Sequence, residues 1–232
     1  MYLKDRYLEE RLKLYYGLSP KLREFRQQIL APRELETFVK LMKLSNLTEH
    51  SSIENRKFLD LGSGDQFLKN VIESKQAKYH PLDYDTVDFN TDQIPFGPSS
   101  FDIVFSLAVI EHLENTDHFL REVFRVLKPG GIFYISTPNF RFCYRTFFND
   151  PTHVKPFTDK SIHKILQLYN FKNVATFPGA RCKNDWFYKG KNRFSKCAYL
   201  PFREKRWYLP TFLCGRATSV MAIGQKPVSK SY

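Results

Sequence analysis

The stretch Phe58-Leu59-Asp60-Leu61-Gly62-Ser63-Gly64-Asp65 decides how the rest of the chain is interpreted. A short apolar run ends in a Gly-X-Gly turn, and residues 67–74 after it have a helical pattern. A strand, a glycine turn and a helix in this order form a nucleotide pocket at the carboxyl end of a strand in an α/β sheet. Glycine at positions 62 and 64 would let the backbone bend sharply and lie close to a ligand.

A carboxylate follows this turn at a spacing that suits ribose binding. Asp83 lies at the end of a second strand-like run, residues 77–82, where its side chain can accept both hydroxyl groups of a ribose. Asp85 is a nearby alternative for the same role. The glycine turn and this carboxylate together favour a nucleotide-binding site over a simple tight turn.

Further strand-like runs alternate with helical patterns, which predicts a mostly parallel sheet. The later predicted strands are residues 87–90, 100–107, 132–136, 171–177 and 218–225. The predicted helices between them are residues 116–127 and 159–169, the second capped by Thr158. Before the sheet, Ser19-Pro20 predicts a helix start, and Ala31-Pro32 predicts an interruption before a helix over residues 32–44.

Four motifs in this order resemble one known family. They are Leu59-Asp60-Leu61-Gly62-Ser63-Gly64, Phe101-Asp102-Ile103-Val104, Ile110-Glu111-His112-Leu113 and Leu127-Lys128-Pro129-Gly130-Gly131. The combination resembles the class I S-adenosylmethionine-dependent methyltransferases of the type 11 group over residues 56–177. The resemblance implies a Rossmann-like sheet of seven strands, mostly parallel, with the last strand antiparallel beside the sixth and helices on both faces. It also implies S-adenosylmethionine as cofactor and methyl transfer as activity.

The resemblance assigns cofactor-binding roles to a set of residues. Backbone N–H groups of Gly62, Ser63 and Gly64 would meet the amino-acid part, Asp60 would fix the loop, and Asp83 would take the ribose. The remaining residues of the predicted site are Asp88 and Phe89 beside the adenine, and Ser106 and Leu107 beside the methionine part. Phe89 could equally belong to the core. The family often has a third glycine, where this chain has Gln66.

Three residues are candidates for proton transfer to or from the methyl acceptor. Glu111 and His112 follow the predicted strand 100–107, and His153 follows the next one. Histidine titrates near neutral pH and suits a general base for a hydroxyl acceptor. Alternatively, the two histidines only hold their loops together.

A second hypothesis for the same residues is that they bind a metal ion. Small-RNA 2′-O-methyltransferases and ubiquinone-pathway O-methyltransferases carry Glu-X-X-Glu-His here and bind a divalent ion. In this chain Ala108 stands in place of the first glutamate. The ligands left would make a poor site for a hard cation, so we expect no metal.

The charge of the chain is unevenly distributed. The net charge is +12, and residues 181–232 hold 12 Lys and Arg against 2 Asp and Glu. We expect residues 1–50 to form a helical cap or lid, and residues 51–232 to form the methyltransferase domain. A basic aromatic insertion at 178–216 would leave the ligand-binding edge of the sheet. Such a surface can contact an anionic membrane, a glycan or nucleic acid.

Composition excludes several other classes of protein. The chain has no run near the roughly 20 apolar residues of a membrane span. Its four cysteines, at 143, 182, 197 and 214, form no Cys-X-X-Cys pair, so we expect reduced thiols. The first residues are charged and lack an apolar signal region, so we expect a cytoplasmic protein, with membrane association as the variant.

The expected partner is a small-molecule acceptor or one linked to a glycan or lipid. An RNA acceptor ranks below these because the basic region has no named RNA-binding motif. A non-catalytic binding module with the same fold is the remaining alternative. The sequence leaves the acceptor and the oligomeric state open.

Overall fold

The computed structural model describes residues 19–47, 52–179 and 218–228. Residues 1–18 of the predicted cap or lid and positions 180–216 of the basic insertion lie outside the described residues. Within the described ranges no helix combines the length and the apolar character needed to cross a membrane.

The described helices and strands alternate along most of the chain. The helices are α1 (Pro20–Phe25), α2 (Ala31–Leu44), α3 (Lys69–Glu73), α4 (Thr116–Val126), α5 (Phe140–Cys143) and α6 (Asp159–Leu168). The strands are β1 (Lys57–Leu61), β2 (Lys78–Leu82), β3 (Phe101–Leu107), β4 (Leu127–Pro138), β5 (Lys172–Pro178) and β6 (Ser219–Gln225). Single 3₁₀ turns lie at Ile110–His112 and Phe147–Asn149.

The six described strands form one sheet in the order β2-β1-β3-β4-β6-β5. Strands β1 to β4 pair in parallel, whereas β6 pairs antiparallel with both β4 and β5. The predicted mostly parallel sheet is therefore confirmed, with the last strand antiparallel and inserted beside the preceding one. The described sheet has six strands rather than seven, because the prediction of a strand at residues 87–90 is wrong.

Local polar contacts explain why residues 87–90 form a loop. The carbonyl oxygen of Asp83 accepts the N–H groups of Thr86 and Val87, which turns the chain immediately after β2. The Asp88 side chain then accepts the backbone N–H of Asn90 at 2.9 Å, a local bond that competes with strand pairing. Val87 and Phe89 are still buried, so their apolar character marks anchoring into the core.

The helix before the sheet continues through a proline. Ser19 accepts the N–H of Leu22 and caps α1, as predicted. The expected interruption at Ala31-Pro32 is wrong, because a π-helical turn, Arg26–Leu30, joins α1 directly to α2. Ala31 is helical and its N–H bonds the carbonyl of Arg26, five residues back. Pro32 then falls in the first turn of α2, where a missing N–H costs little.

Both faces of the sheet are covered, which accounts for the almost continuous apolar runs of its strands. On one face Val104 and Phe133 pack with residues of α4 and α6. On the other face α2 places Phe38 against Phe105 and Tyr134, with ring centroids 4.8 and 5.3 Å apart. This packing leaves the carboxyl edge of the parallel strands, with its loops, as the place for a site.

Candidate active site

The Gly62–Gly64 turn lies directly after β1 and has the backbone that the sequence predicts. Gly62 and Gly64 have φ angles of +75° and +51°, in the region that favours glycine. A Cβ atom at Gly62 would lie 2.3 Å from Cγ2 of Val109, so a larger residue does not fit. Gln66, at the third position, also has a positive φ of +53°, and it is exposed. It keeps a glycine-like backbone there.

The side chain of Asp83 is hydrogen-bonded to this turn. Its Oδ2 atom accepts the N–H of Gly64 at 2.6 Å, and its Oδ1 atom accepts the N–H of Tyr84 at 2.7 Å. Burial raises the pKa of Asp83, although these two bonds lower it. Asp85, the alternative ribose ligand, is exposed. The structure therefore brings Asp83, and not Asp85, into contact with the glycine turn.

Asp60 lies buried beneath the turn. The hydroxyl of Tyr79 donates to its Oδ2 atom at 2.6 Å. Burial raises the pKa of Asp60 to about 7, the Tyr79 bond opposes this, and the charge of Asp83 adds to it. Asp65 also contributes negative charge here and forms a two-pronged ion pair with Arg26 at 2.8 and 2.9 Å. The surroundings of the turn are therefore rich in carboxylates.

The other predicted cofactor residues occupy nearby strand ends and loops. Ser106 is fully buried in β3, and its hydroxyl oxygen has no hydrogen-bond partner among the described residues. Leu107 ends the same strand and is half-buried. Asp88 is half-buried in the loop after β2, whereas Phe89 packs edge-to-face on Phe119 with ring centroids 5.8 Å apart.

The three proton-transfer candidates come together from two loops. Glu111 and His112 form the 3₁₀ turn after β3, and His153 lies in the loop that leads to α6. The rings of His112 and His153 are 4.8 Å apart. The carbonyl oxygen of Glu111 accepts the N–H groups of Val154 and Lys155, which ties the two loops to each other.

The hydrogen-bond partners of each imidazole assign its tautomer. Nδ1 of His153 lies 2.7 Å from the carbonyl oxygen of Phe147, which can only accept, so Nδ1 carries the proton. Nδ1 of His112 lies 2.8 Å from Oγ1 of Thr152, whose hydroxyl donates to Asp150 at 2.5 Å. In the neutral form each ring thus keeps Nε2 as a proton acceptor.

The same cluster has donor atoms for a metal ion. One ligand atom from each of Glu111, His112 and His153 lies within 4.8 Å of the others. Glu111 is fully buried, and its Oε2 atom accepts the hydroxyl of Thr137 at 2.9 Å. Two imidazoles and one carboxylate suit a borderline transition metal better than magnesium or calcium, which prefer oxygen ligands.

Sequence reasoning missed the residues that support the histidines. Asp150 and Thr152 form a local turn, in which Oδ1 of Asp150 accepts the N–H of Thr152 at 3.0 Å. Phe147 is buried, and its ring centroid lies 4.5 Å from that of His153. The Asp-X-Thr spacing is a turn signal that could have indicated the first pair. Nothing in the sequence pairs Phe147 with His153.

Comparison with known proteins shows which domains this chain resembles. Residues 59–135 match the type 11 family model, described as a methyltransferase domain. A Mycolicibacterium smegmatis protein named as an S-adenosylmethionine-dependent methyltransferase is 30% identical over 54% of this chain and 56% of its own length. The demethylmenaquinone methyltransferase of Lactococcus lactis is 31% identical over 54% of this chain and 53% of its own length. The ubiquinone biosynthesis O-methyltransferase of Rhizobium rhizogenes is 30% identical over 38% and 43%.

Solved structures show the same fold. A methyltransferase from Archaeoglobus fulgidus has a TM-score of 0.56 at 17% identity, covering 81% of this chain and 94% of its own. A chain from a Haloferax volcanii complex between a methyltransferase activator and a methyltransferase has a TM-score of 0.61 at 14% identity, covering 97% of each chain. This chain spans about half the length of the curated relatives named above. The family match over residues 59–135, the relatives and the fold together support a class I S-adenosylmethionine-dependent methyltransferase domain of the type 11 group in this part of the chain.

Proposed function

We propose that this protein methylates an oxygen atom of a small molecule, or of a glycan or lipid precursor of the cell surface, with S-adenosylmethionine as donor. The tautomer of His153 is the observation that supports an oxygen acceptor. Its Nδ1–H is bound to the carbonyl of Phe147, so its Nε2 atom remains to take a proton. A hydroxyl acceptor gains from such a base, whereas an acceptor that is already a strong nucleophile does not need one.

The residues around the glycine turn fit the cofactor in three ways. Gly62 and Gly64 have positive φ angles, which let the backbone turn sharply at the end of β1 and present its N–H groups to a ligand. Ser106 offers a buried hydroxyl that has no partner among the described residues. Asp83 places a carboxylate directly against the turn, which suits a ligand with positively charged sulfur and amino groups.

Each predicted residue then has a proposed role. Backbone N–H groups at Gly62, Ser63 and Gly64 would hold the amino-acid part, and Asp83 would accept the ribose hydroxyls with the lone pairs that Gly64 and Tyr84 leave open. Asp60 supports the turn from below. Asp88 and Phe89 would border the adenine, and Ser106 and Leu107 the methionine part. When bound, the cofactor supplies an activated methyl group that a nucleophile displaces in line.

His153 is the proposed base for the acceptor hydroxyl. As Nε2 takes the proton, the ring becomes an imidazolium with both nitrogens donating. The carboxylate of Asp150, whose Oδ2 atom lies 3.8 Å from Nε2, stabilises that charge. His112 and Glu111 are the alternatives, because they lie in the same cluster.

The acceptor class is proposed from the relatives' names. Two of the relatives are named for demethylmenaquinone and for ubiquinone biosynthesis, and one of these is an O-methyltransferase. Such names support an acceptor that is a small molecule or a lipid. The RNA alternative rests on the excess of Lys and Arg in residues 181–232, which lie mostly outside the described residues.

Transfer of a labelled methyl group tests the proposal. The full chain is incubated with labelled S-adenosylmethionine and cell extract, and the lipid, small-molecule and RNA fractions are counted. We expect label in the lipid or small-molecule fraction, and much less with His153→Ala. Label in RNA would replace the proposal with the RNA alternative. No label, together with calorimetry that detects no binding of the cofactor or its demethylated product, would leave a non-catalytic module.

A further inference from the structure

The segment between β4 and the His153 loop exposes aromatic and basic side chains together. Residues 140–148, called the 140–148 segment below, hold five aromatic residues, two arginines and no acidic residue. Tyr144 and Phe148 are 53% and 60% exposed, and both arginines, Arg141 and Arg145, are exposed. Exposed apolar side chains that lie close together mark interaction surfaces, whereas single ones scattered over a surface are common.

The exposed aromatic residues belong to a segment that is anchored by buried side chains and backbone hydrogen bonds. Phe147 is 2% exposed and packs edge-to-face against Phe140 and Phe148, with ring centroids 5.4 and 5.0 Å away. Asn139 is buried and caps α5 by accepting the N–H of Arg141, while the N–H of Phe140 bonds the carbonyl of Phe157. The segment is therefore held in place, and Phe148 faces solvent while its neighbour fills the core.

The surface directly adjoins the proposed base. Phe147 contacts the ring of His153 and accepts its Nδ1–H. Beyond His153, Val154 is again 40% exposed. Exposed apolar side chains thus precede and follow His153 along the chain, and the His153 side chain itself is 13% exposed.

The arginines are free of acidic partners within the described residues and lie against rings. The Arg145 guanidinium is 5.6 Å from the ring centroid of Tyr144, and its Nε donates to the Tyr144 hydroxyl at 3.0 Å. The Arg141 guanidinium is 5.5 Å from the ring centroid of Phe142. Each of these two rings is therefore paired with a guanidinium, so this surface presents aromatic and basic groups together.

We propose that the 140–148 segment docks this protein on an anionic phospholipid membrane, with Phe148 and Tyr144 at the headgroup level and Arg141 and Arg145 on lipid phosphates. Aromatic rings and arginines are the side chains that suit this interface. The docked orientation would bring the membrane next to His153, so that a lipid-linked acceptor reaches the base without leaving the bilayer. This last step rests on the proposed function above.

Vesicle binding by the full chain tests the proposal without cofactor or turnover. The probe is flotation with vesicles of phosphatidylglycerol and phosphatidylcholine, compared with phosphatidylcholine alone. We expect binding only to the anionic vesicles. Tyr144→Ser with Phe148→Ser should weaken that binding at least roughly tenfold, and each of Arg141→Gln and Arg145→Gln about fivefold, as expected for about 1 kcal/mol per basic residue at such a surface. Leu168→Ser and Lys160→Gln, exposed positions on α6, should change nothing.

A fluorescent reporter provides a second test of the proposal if the serine variants fold poorly. Phe148→Trp places a fluorescent indole at the proposed contact, and Leu168→Trp places one at the control site. Brominated phosphatidylglycerol vesicles should quench the added fluorescence of the first variant and not of the second. Unchanged vesicle affinity in the serine and glutamine variants, or equal quenching in both tryptophan variants, would overturn the proposal.

Two further outcomes separate this proposal from its neighbours. If the serine and glutamine variants lose binding to single-stranded RNA while their vesicle binding is unchanged, the segment is a nucleic-acid surface and the membrane assignment is overturned. Vesicle binding that fails while methyl transfer to a lipid acceptor persists would overturn the docking alone. Docking that succeeds while no lipid is methylated would support the surface and contradict only the acceptor class.

Discussion

At the scale of single residues, Asp83 and Asp85 give the clearest contrast. Both were candidates for the ribose, but only Asp83 is bonded to the glycine turn. We expect Asp83→Ala to weaken cofactor binding by about 2–4 kcal/mol, because two charge-assisted hydrogen bonds to the ribose are lost. Isothermal calorimetry should show the change, and Asp85→Ala should serve as the unaffected control. An equal loss in both variants would return Asp85 to the site.

His153 carries the proposed chemistry at the same scale. We expect His153→Ala to lower kcat roughly 10²- to 10⁴-fold while cofactor affinity hardly changes, because the base touches the acceptor and not the donor. His163→Ala, on α6, is the matched control. A defect confined to acceptor KM would make His153 a recognition residue.

At the scale of elements, the glycine turn links β1 to the loop after β3. Gly62→Ala would both strain a φ of +75° and push a Cβ atom to 2.3 Å from Val109. We expect a loss of at least about 2 kcal/mol in the free energy of unfolding and weaker cofactor binding. Gly97→Ala is the control, because its nearest neighbour would lie at an ordinary 3.6 Å. Thermal unfolding that shifts equally in both variants would contradict this account of the turn.

The elements also show what the sequence could predict. Strands β1 to β4 and the order of their helices followed from apolar runs and glycine turns, because a sheet buried on both faces demands such runs. The strand at residues 87–90 did not form, since Asp83 and Asp88 supply turn contacts that an apolar pattern does not reveal. The π-helical turn before Pro32 was equally hidden, because no residue type in Arg26–Leu30 marks a hydrogen bond between residues five apart. Loop contacts such as that between Phe147 and His153 depend on the tertiary fold alone.

The two loops that carry Glu111, His112 and His153 raise the question of a metal ion. We expect chelation to leave methyl transfer unchanged, and added magnesium to have no effect. Ala108 supplies no ligand, and under the proposed function Nε2 of His153 takes a proton rather than binding a metal ion. Turnover with and without a chelator, measured after dialysis, checks this. Loss of activity that manganese or zinc restores would make the cluster a metal centre and remove His153 as the base.

At the scale of the whole molecule, the charge of the glycine turn differs in sign from the charge of residues 181–232 at the end of the sequence. The excess of positive charge belongs to residues 181–232, whereas Asp60, Asp65 and Asp83 surround the cofactor turn. Under the proposed function the acceptor is a neutral or lipid-linked hydroxyl, whose binding does not need the basic end of the chain.

This arrangement predicts how turnover responds to salt and to RNA. Binding of a nucleic acid through several phosphate contacts weakens steeply as salt rises, because counterions are released. We expect methyl transfer to a neutral water-soluble acceptor to depend only weakly on salt and to continue in the presence of added single-stranded RNA. Initial rates at low and high potassium chloride, with and without RNA, measure both effects. A steep fall in rate with salt, or inhibition by RNA that competes with the acceptor, would mean that phosphate groups reach the site and would favour the RNA methyltransferase.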